Sequence, residues 1–170
     1  MRLDLRQAKT EATEFQLSAM AEELELMING VGFGEPIEAT ASIFKTGDEV
    51  IVEAQISTMV ELECSRCLES FELYLNSKIK FIIQLLDINE AQDSNDDDFL
   101  ILPKTVTEYD LSDRVREALI LETPLKPLCS ESCKGLCPMC GTNRNENECN
   151  CTPDKNDERW DALKQLFGEN

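Results

Sequence analysis

Eight cysteines stand in a chain without a single histidine, one pair as Cys-x-x-Cys at Cys64 and Cys67 and six in a dense group at Cys129, Cys133, Cys137, Cys140, Cys149 and Cys151. Eight thiolates divide into two sets of four, the closed tetrahedral coordination of structural zinc. Four protein ligands per ion leave no open position for a substrate or a reactive water. Two zinc ions held in this way build a surface rather than run a reaction.

The spacing suggests how the ligands divide. In Cys137-Pro138-Met139-Cys140-Gly141 a tight turn aims both sulfurs inward, and Gly141 suits the backbone angles such a turn needs. Cys149 and Cys151, two residues apart, present both sulfurs on one side of an extended segment. These four form one local site. Cys64, Cys67, Cys129 and Cys133 are left to form the other, which closes a loop of about sixty residues, the kind of crosslink that constrains an unfolded chain most. A second division remains open, with Cys129 and Cys133 joining Cys137 and Cys140, and the first pair joining Cys149 and Cys151; the local grouping has the simpler geometry.

Cys64-Ser65-Arg66-Cys67 is also the spacing of a thiol-disulfide couple, with Arg66 available to lower a thiol pKa. That pair joins two strands rather than opening a helix, and six other cysteines compete for oxidation. Without histidine there is neither the common general base nor a His-ligated catalytic zinc. The chain also has no phosphate loop and no nucleophile elbow. A non-enzymatic protein with no small-molecule substrate is the reading these residues favour, and a thiol-disulfide oxidoreductase is the alternative.

The elements that must position the thiols are legible around the first pair. Val50, Val52, Ala54, Ile56, Val60 and Leu62 alternate with Glu53, Gln55, Ser57, Glu61 and Glu63, a half-buried strand. Beyond the pair the parity is odd: Phe71, Leu73, Leu75, Ile79, Phe81, Ile83 and Leu85 against Glu72, Asn76, Lys78, Lys80 and Gln84. Two such strands meeting at Cys-Ser-Arg-Cys make an antiparallel hairpin with the thiols at its tip. Ile37, Ala39, Ala41 and Ile43 add a third strand through the turn Lys45-Thr46-Gly47-Asp48. Leu3 with Leu5, and Phe99 to Leu102, are candidates for edge strands.

Residues 87–98 carry six acidic side chains and no basic one. A calcium loop is excluded there, because Asp98 stands where the loop glycine belongs and Lys104 where the bidentate Glu belongs; a solvated loop is expected. From Asp110 the pattern turns helical: Leu111, Val115, Ala118 and Leu119 share a face, Asp110 is placed to cap, and Asp113 sits in a capping-box-like position. Thr123-Pro124 ends that helix. A short helix is expected over 157–167, where Trp160, Leu163 and Phe167 recur at helical spacing.

The hydrophobic content of 42% supports a real core, and eight cysteines are too few for a disulfide scaffold. The start of the chain, MRLDLRQAKTEATEF, has no apolar core of a signal peptide, and no stretch approaches the ~18 apolar residues of a membrane span. A cytoplasmic location with reduced thiols and no membrane partner is therefore expected. The net charge is −18, and two four-thiolate zinc sites would take it to about −22. Nonspecific binding to a phosphate backbone is disfavoured. Residues 123–160 differ, with five basic side chains (Lys126, Lys134, Arg144, Lys155, Arg159) against six acidic ones. Contact with RNA is expected there, near Lys134, Arg144 and Arg159, with Trp160 as a partner-facing anchor; a basic protein suits the remaining acidic surface.

The phrase LECSRCLESF (Leu62 to Phe71), Asp110-Leu111, the helix ending at Pro124, and above all CKGLCPMCGTNRN (Cys133 to Asn145) with Cys149-Asn150-Cys151 resemble the YceD family of large ribosomal RNA subunit accumulation proteins. The resemblance runs over roughly residues 40–165, and the first forty match less well. It implies a cytoplasmic, non-enzymatic factor for accumulation of large-subunit ribosomal RNA, acting in ribosome assembly on a large-subunit RNA precursor, a basic ribosomal protein or both. A zinc-stabilised interaction module unrelated to ribosomes is the remaining alternative. The fold expected is α+β: an antiparallel meander sheet with one packed helix, a Cys-rich zinc-binding segment and a short C-terminal helix. Residues 1–125 would form the core domain, and 126–170 a zinc-knuckle segment clipped to it through Cys64 and Cys67.

Overall fold

A computed structural model describes residues 1–87 and 98–152. Its centre is the meander read from the alternation. Strand β4 (Ile37–Thr46) turns at Gly47 into β5 (Glu49–Glu63), which pairs along its whole length with β6 (Ser70–Leu86). Gly47 has φ +62°, a conformation that costs a residue without a Cβ little. The even positions of β5, from Val50 to Leu62, are buried, and Leu75, Phe81, Ile83 and Leu85 of β6 lie in the same core.

Strand β2 (Thr13–Ala19) extends the sheet beyond β4, and the two-residue β3 (Val31–Gly32) pairs with the far end of β5. The sequence reading placed neither. On the other edge β7 (Phe99–Pro103) is the strand expected there, but it runs parallel to β6, so the sheet is mixed rather than a pure meander.

Leu3 lies in a strand of a different kind from the one expected. β1 (Arg2–Asp4) pairs antiparallel with β8 (Glu108–Asp110) as a separate two-stranded sheet. Leu5 is not in a strand: it opens a 3-10 turn over Leu5–Gln7, because the Asp4 carboxylate accepts from the Arg6 backbone N–H at 3.0 Å and from its guanidinium at 2.8 Å, closing the chain locally. Leu3 and Leu5 are still buried, in the same core as Val115, Ala118 and Leu119.

Helix α1 (Ser112–Glu122) buries Val115, Ala118 and Leu119 against the sheet and ends at Thr123, whose extended backbone precedes Pro124. Its N-cap is Leu111, not Asp110. Asp110 acts from one residue earlier, its carboxylate accepting from Ser112 N–H at 3.0 Å, and Asp113 pairs with Arg116 at 2.7 Å instead of reaching back to the cap. Arg114 lies 5.2 Å over the Phe81 ring, pinning α1 to β6. The expected helix over 157–167, with Arg159 and Trp160, and nearly all of the acidic loop 87–98 lie outside the described residues.

Candidate metal centres

The hairpin tip is built to present sulfur. β5 ends at Glu63, and Cys64 N–H donates to the Glu69 carbonyl at 2.9 Å while Leu68 N–H donates to that of Cys64 at 2.9 Å. Leu68 adopts φ +61°, the left-handed conformation that closes the turn. The segment after α1 is bonded onto this tip: Ser65 N–H reaches the Pro127 carbonyl at 2.8 Å, and the Arg66 guanidinium donates to the carbonyls of Cys133 at 2.8 Å and Glu131 at 3.2 Å.

Cys64, Cys67, Cys129 and Cys133 thereby converge, with all four sulfurs within 4.8 Å of one another. The Cys64–Cys133 separation is 3.8 Å and the Cys67–Cys129 separation 3.7 Å. Four sulfurs each ~2.3 Å from one zinc ion would stand about 3.8 Å apart, whereas a disulfide needs about 2.05 Å. The donor set fits a tetrathiolate ion. Cys64, Cys67 and Cys133 are buried beside Phe71 and Leu128, and Cys129 is exposed.

The surroundings favour thiolates at two of the four. Backbone N–H groups of Cys129, Cys67 and Arg66 bring Cys64 down to about 6, against the opposing effect of burial. The Asn145 side-chain amide, helped by Gly135 N–H, lowers Cys133. Although Cys129 is exposed as a residue, desolvation of its sulfur inside the cluster and the neighbouring sulfurs push it up to about 12, and Cys67 is raised as well: the Glu69 N–H acts against this, but burial and Cys64 outweigh it. The Arg66 guanidinium is engaged by carbonyl oxygens, and it is the Arg66 backbone N–H that helps to lower Cys64.

The second centre is local. Gly141 N–H donates to the Cys137 carbonyl at 2.9 Å, closing the Cys137–Gly141 turn with Gly141 at φ +73°, and Cys137 N–H donates to the Thr142 carbonyl at 2.8 Å. Cys137, Cys140, Cys149 and Cys151 again bring their sulfurs within 4.8 Å of one another. Cys137 is buried, Cys149 half-buried, and Cys140 and Cys151 are exposed. Thr142, its hydroxyl 3.2 Å from the Cys140 sulfur, brings that thiol down to about 6, and Cys151 is pushed up to about 12, chiefly by Cys140. The cysteines thus gather in the first of the two divisions considered above.

Lys134 and Arg144 are both exposed, and the backbone brings them together: Arg144 N–H donates to the Gly135 carbonyl at 2.9 Å. Arg66 joins them from the hairpin, because Leu136 N–H donates to its carbonyl at 2.9 Å. The sequence reading did not place Arg66 in this group, and it gave Asn145 no role. An asparagine inside a polar turn carries no pattern that would single it out.

An α+β protein whose sheet hairpin and Cys-rich segment together form two four-cysteine clusters, each able to hold a metal ion, is the class that fold and site define. The chain belongs to the YceD family, described as large ribosomal RNA subunit accumulation protein YceD, whose match covers residues 52–167. It is 26% identical to a chloroplastic large ribosomal RNA subunit accumulation protein YCED homolog 1 of Arabidopsis thaliana, over 97% of this chain and 59% of that protein. The Zea mays protein of the same name is 27% identical over 78% of this chain and 54% of its own length. An uncharacterized protein of Mycobacterium leprae is 25% identical over 71% of this chain and 54% of its own. The chain therefore spans less than two thirds of these relatives. No solved structure matches it.

Proposed function

We propose that this chain is a cytoplasmic, non-enzymatic factor that binds two zinc ions and supports accumulation of large-subunit ribosomal RNA during ribosome assembly. The observation that carries the zinc reading is that the four sulfurs of each tetrad lie within 4.8 Å of one another, with separations of 3.7 and 3.8 Å in the first, which suits closed tetrathiolate ions with no ligand position left for chemistry. The family description supports the ribosomal role. The relatives' names attach that role to whole proteins longer than this chain.

In this reading residues 1–125 form the core, and 126–170 a metal-bound segment clipped to it by Cys64 and Cys67. Among the described residues no helix is long and apolar enough to cross a membrane. The charge of −18 favours a basic ribosomal protein as the principal partner. Large-subunit RNA precursor is contacted where Lys134 and Arg144 lie together, with Arg159 and Trp160 beyond them in sequence.

Crosslinking followed by recovery of both RNA and protein tests the assignment, with Lys134→Glu plus Arg144→Glu as the variant. Contact through the metal-bound segment predicts loss of cosedimentation with large-subunit precursors, zinc retained, and a wild-type interaction that weakens with salt. Normal cosedimentation of the double variant would move the contact to the acidic surface and a basic protein. Absence of any large-subunit component from the crosslinked material would sink the ribosomal reading.

A further inference from the structure

One side chain reaches from the second centre to a sulfur of the first. Asn145 belongs to the turn between Cys140 and Cys149, yet its amide nitrogen donates to the sulfur of Cys133, a member of the other tetrad, at 3.3 Å. The same nitrogen lies 2.9 Å from Asn143 Oδ1, and Asn145 Oδ1 accepts from Lys134 N–H at 2.7 Å. Both ends of the amide are therefore held, and its N–H edge is aimed at a sulfur.

What holds Asn145 there is the second centre's own turn. Leu136 and Asn143 form an isolated antiparallel bridge, and the backbone N–H groups of Glu146 and Asn147 donate to the Asn143 carbonyl at 3.2 and 3.0 Å. This small frame is closed at its tip by the Cys137–Gly141 turn. Cys140 and Cys151 are exposed, and an ion there would add to these hydrogen bonds a crosslink between the Cys137–Gly141 turn and Cys149 and Cys151, fixing residues 141–147 from both sides. The first tetrad is mostly buried at the sheet tip and has its own supports from Glu69 and Pro127.

We propose that Asn145 is a positioning residue that couples the two centres: an ion in the second tetrad orders residues 141–147, and the Asn145 amide then stabilises the Cys133 thiolate and strengthens metal binding in the first. The inference rests on the zinc reading above. An N–H donated to a ligating sulfur disperses its negative charge and fixes its orientation, and removing such a partner typically weakens a metal site 10–100-fold. Linkage makes the effect reciprocal, so filling the first tetrad tightens the second by the same factor.

The test uses the full chain with zinc, a competing chelator for affinity, and cadmium NMR to resolve the two centres. Asn145→Asp keeps the acceptor for Lys134 N–H but loses the donor to Cys133; Asn145→Leu loses both. Each should weaken the first centre about 10-fold, Asp at least as much as Leu because it sets a carboxylate against a thiolate, and each should shift that centre's cadmium signal. Cys140→Ser with Cys151→Ser, which removes only exposed ligands, should weaken the first centre similarly, and Asn145→Asp should add little in that background.

An Asn145→Asp chain with wild-type affinity at the first centre, beside a weakened Asn145→Leu chain, would overturn the proposal by showing that the amide only shapes the turn. Full additivity of Asn145→Asp with the double Ser variant would overturn it by removing the coupling. A wild-type chain that binds fewer than two ions would overturn the zinc reading itself.

Discussion

Gly135 and Arg66 are in backbone contact: a Cβ on Gly135 would lie 2.8 Å from the Arg66 carbonyl oxygen and 3.1 Å from its Cβ. The contact seats the Cys-rich segment on the hairpin tip, and Gly135 reaches it with φ +70°, where other residues are strained. Leu136 N–H donates to the same Arg66 carbonyl at 2.9 Å, so the close approach is held by a hydrogen bond as well as by shape.

Gly135→Ala should therefore cost stability through both strain and displacement, about 1–3 kcal/mol in thermal or denaturant unfolding. Chelator competition should show the first tetrad losing metal before the second, because Cys133 is two residues from the clash. Unchanged unfolding and unchanged metal release would mean that the segment does not seat on Arg66 in solution.

Removing one ligand from each centre should separate their roles. Cys67→Ser unlinks the β5–β6 tip from residues 129–133 and should accelerate amide exchange in the sheet as well as in the Cys-rich segment, with a loss of several kcal/mol as metal-coupled folding weakens. Cys140→Ser should expose mainly residues 134–152 to exchange. Sheet protection unaffected by Cys67→Ser would refute the clip between hairpin and segment.

Metal affinity should depend on pH with a defined slope. In each tetrad two thiols are lowered and two raised: Cys64 and Cys133 against Cys67 and Cys129, and Cys137 and Cys140 against Cys149 and Cys151. Cys64 and Cys140, at about 6, are already ionised near neutral pH, so zinc uptake displaces at most about three protons per site and log affinity should rise by no more than about three decades per pH unit between pH 7 and 8. As pH falls through about 6, Cys64 and Cys140 take up protons and the slope steepens. In the metal-free protein the lowered Cys64 and Cys140 contribute stability that is fully present above about pH 9 and is lost as pH falls through about 6. A slope near four at neutral pH would show that no thiol is lowered.

The parts of this protein that were legible in its sequence are those where one physical signal acts alone. Alternation over Val50–Leu62 was clean because that face of β5 is buried along its length, and over Phe71–Leu85 because buried Leu75, Phe81, Ile83 and Leu85 and half-buried Phe71, Leu73 and Ile79 face away from exposed Glu72, Asn76, Lys78 and Lys80. The thiol spacing was equally direct, since four sulfurs must converge for a closed site. Position in the sheet was harder. β2 carries alternating Thr13, Phe15, Leu17 and Ala19, but as an edge strand it leaves those positions only half-buried, and the contrast between its faces is weak. β7 alternates too little to reveal direction, and its parallel pairing depends on where the chain returns rather than on its own residues. Asp110 could be seen as a capping residue, but not that it would act one position early through Ser112. Asn145 was illegible because its role exists only once two distant segments touch.

The central claim is that each tetrad holds one zinc ion by four thiolates. X-ray absorption at the zinc edge, combined with elemental analysis of protein purified under reducing conditions, tests it most directly. The account predicts two zinc ions per chain and a single shell of four sulfurs at ~2.3 Å, with no nitrogen or oxygen ligand. Zinc-free protein, or a shell containing oxygen, would contradict it.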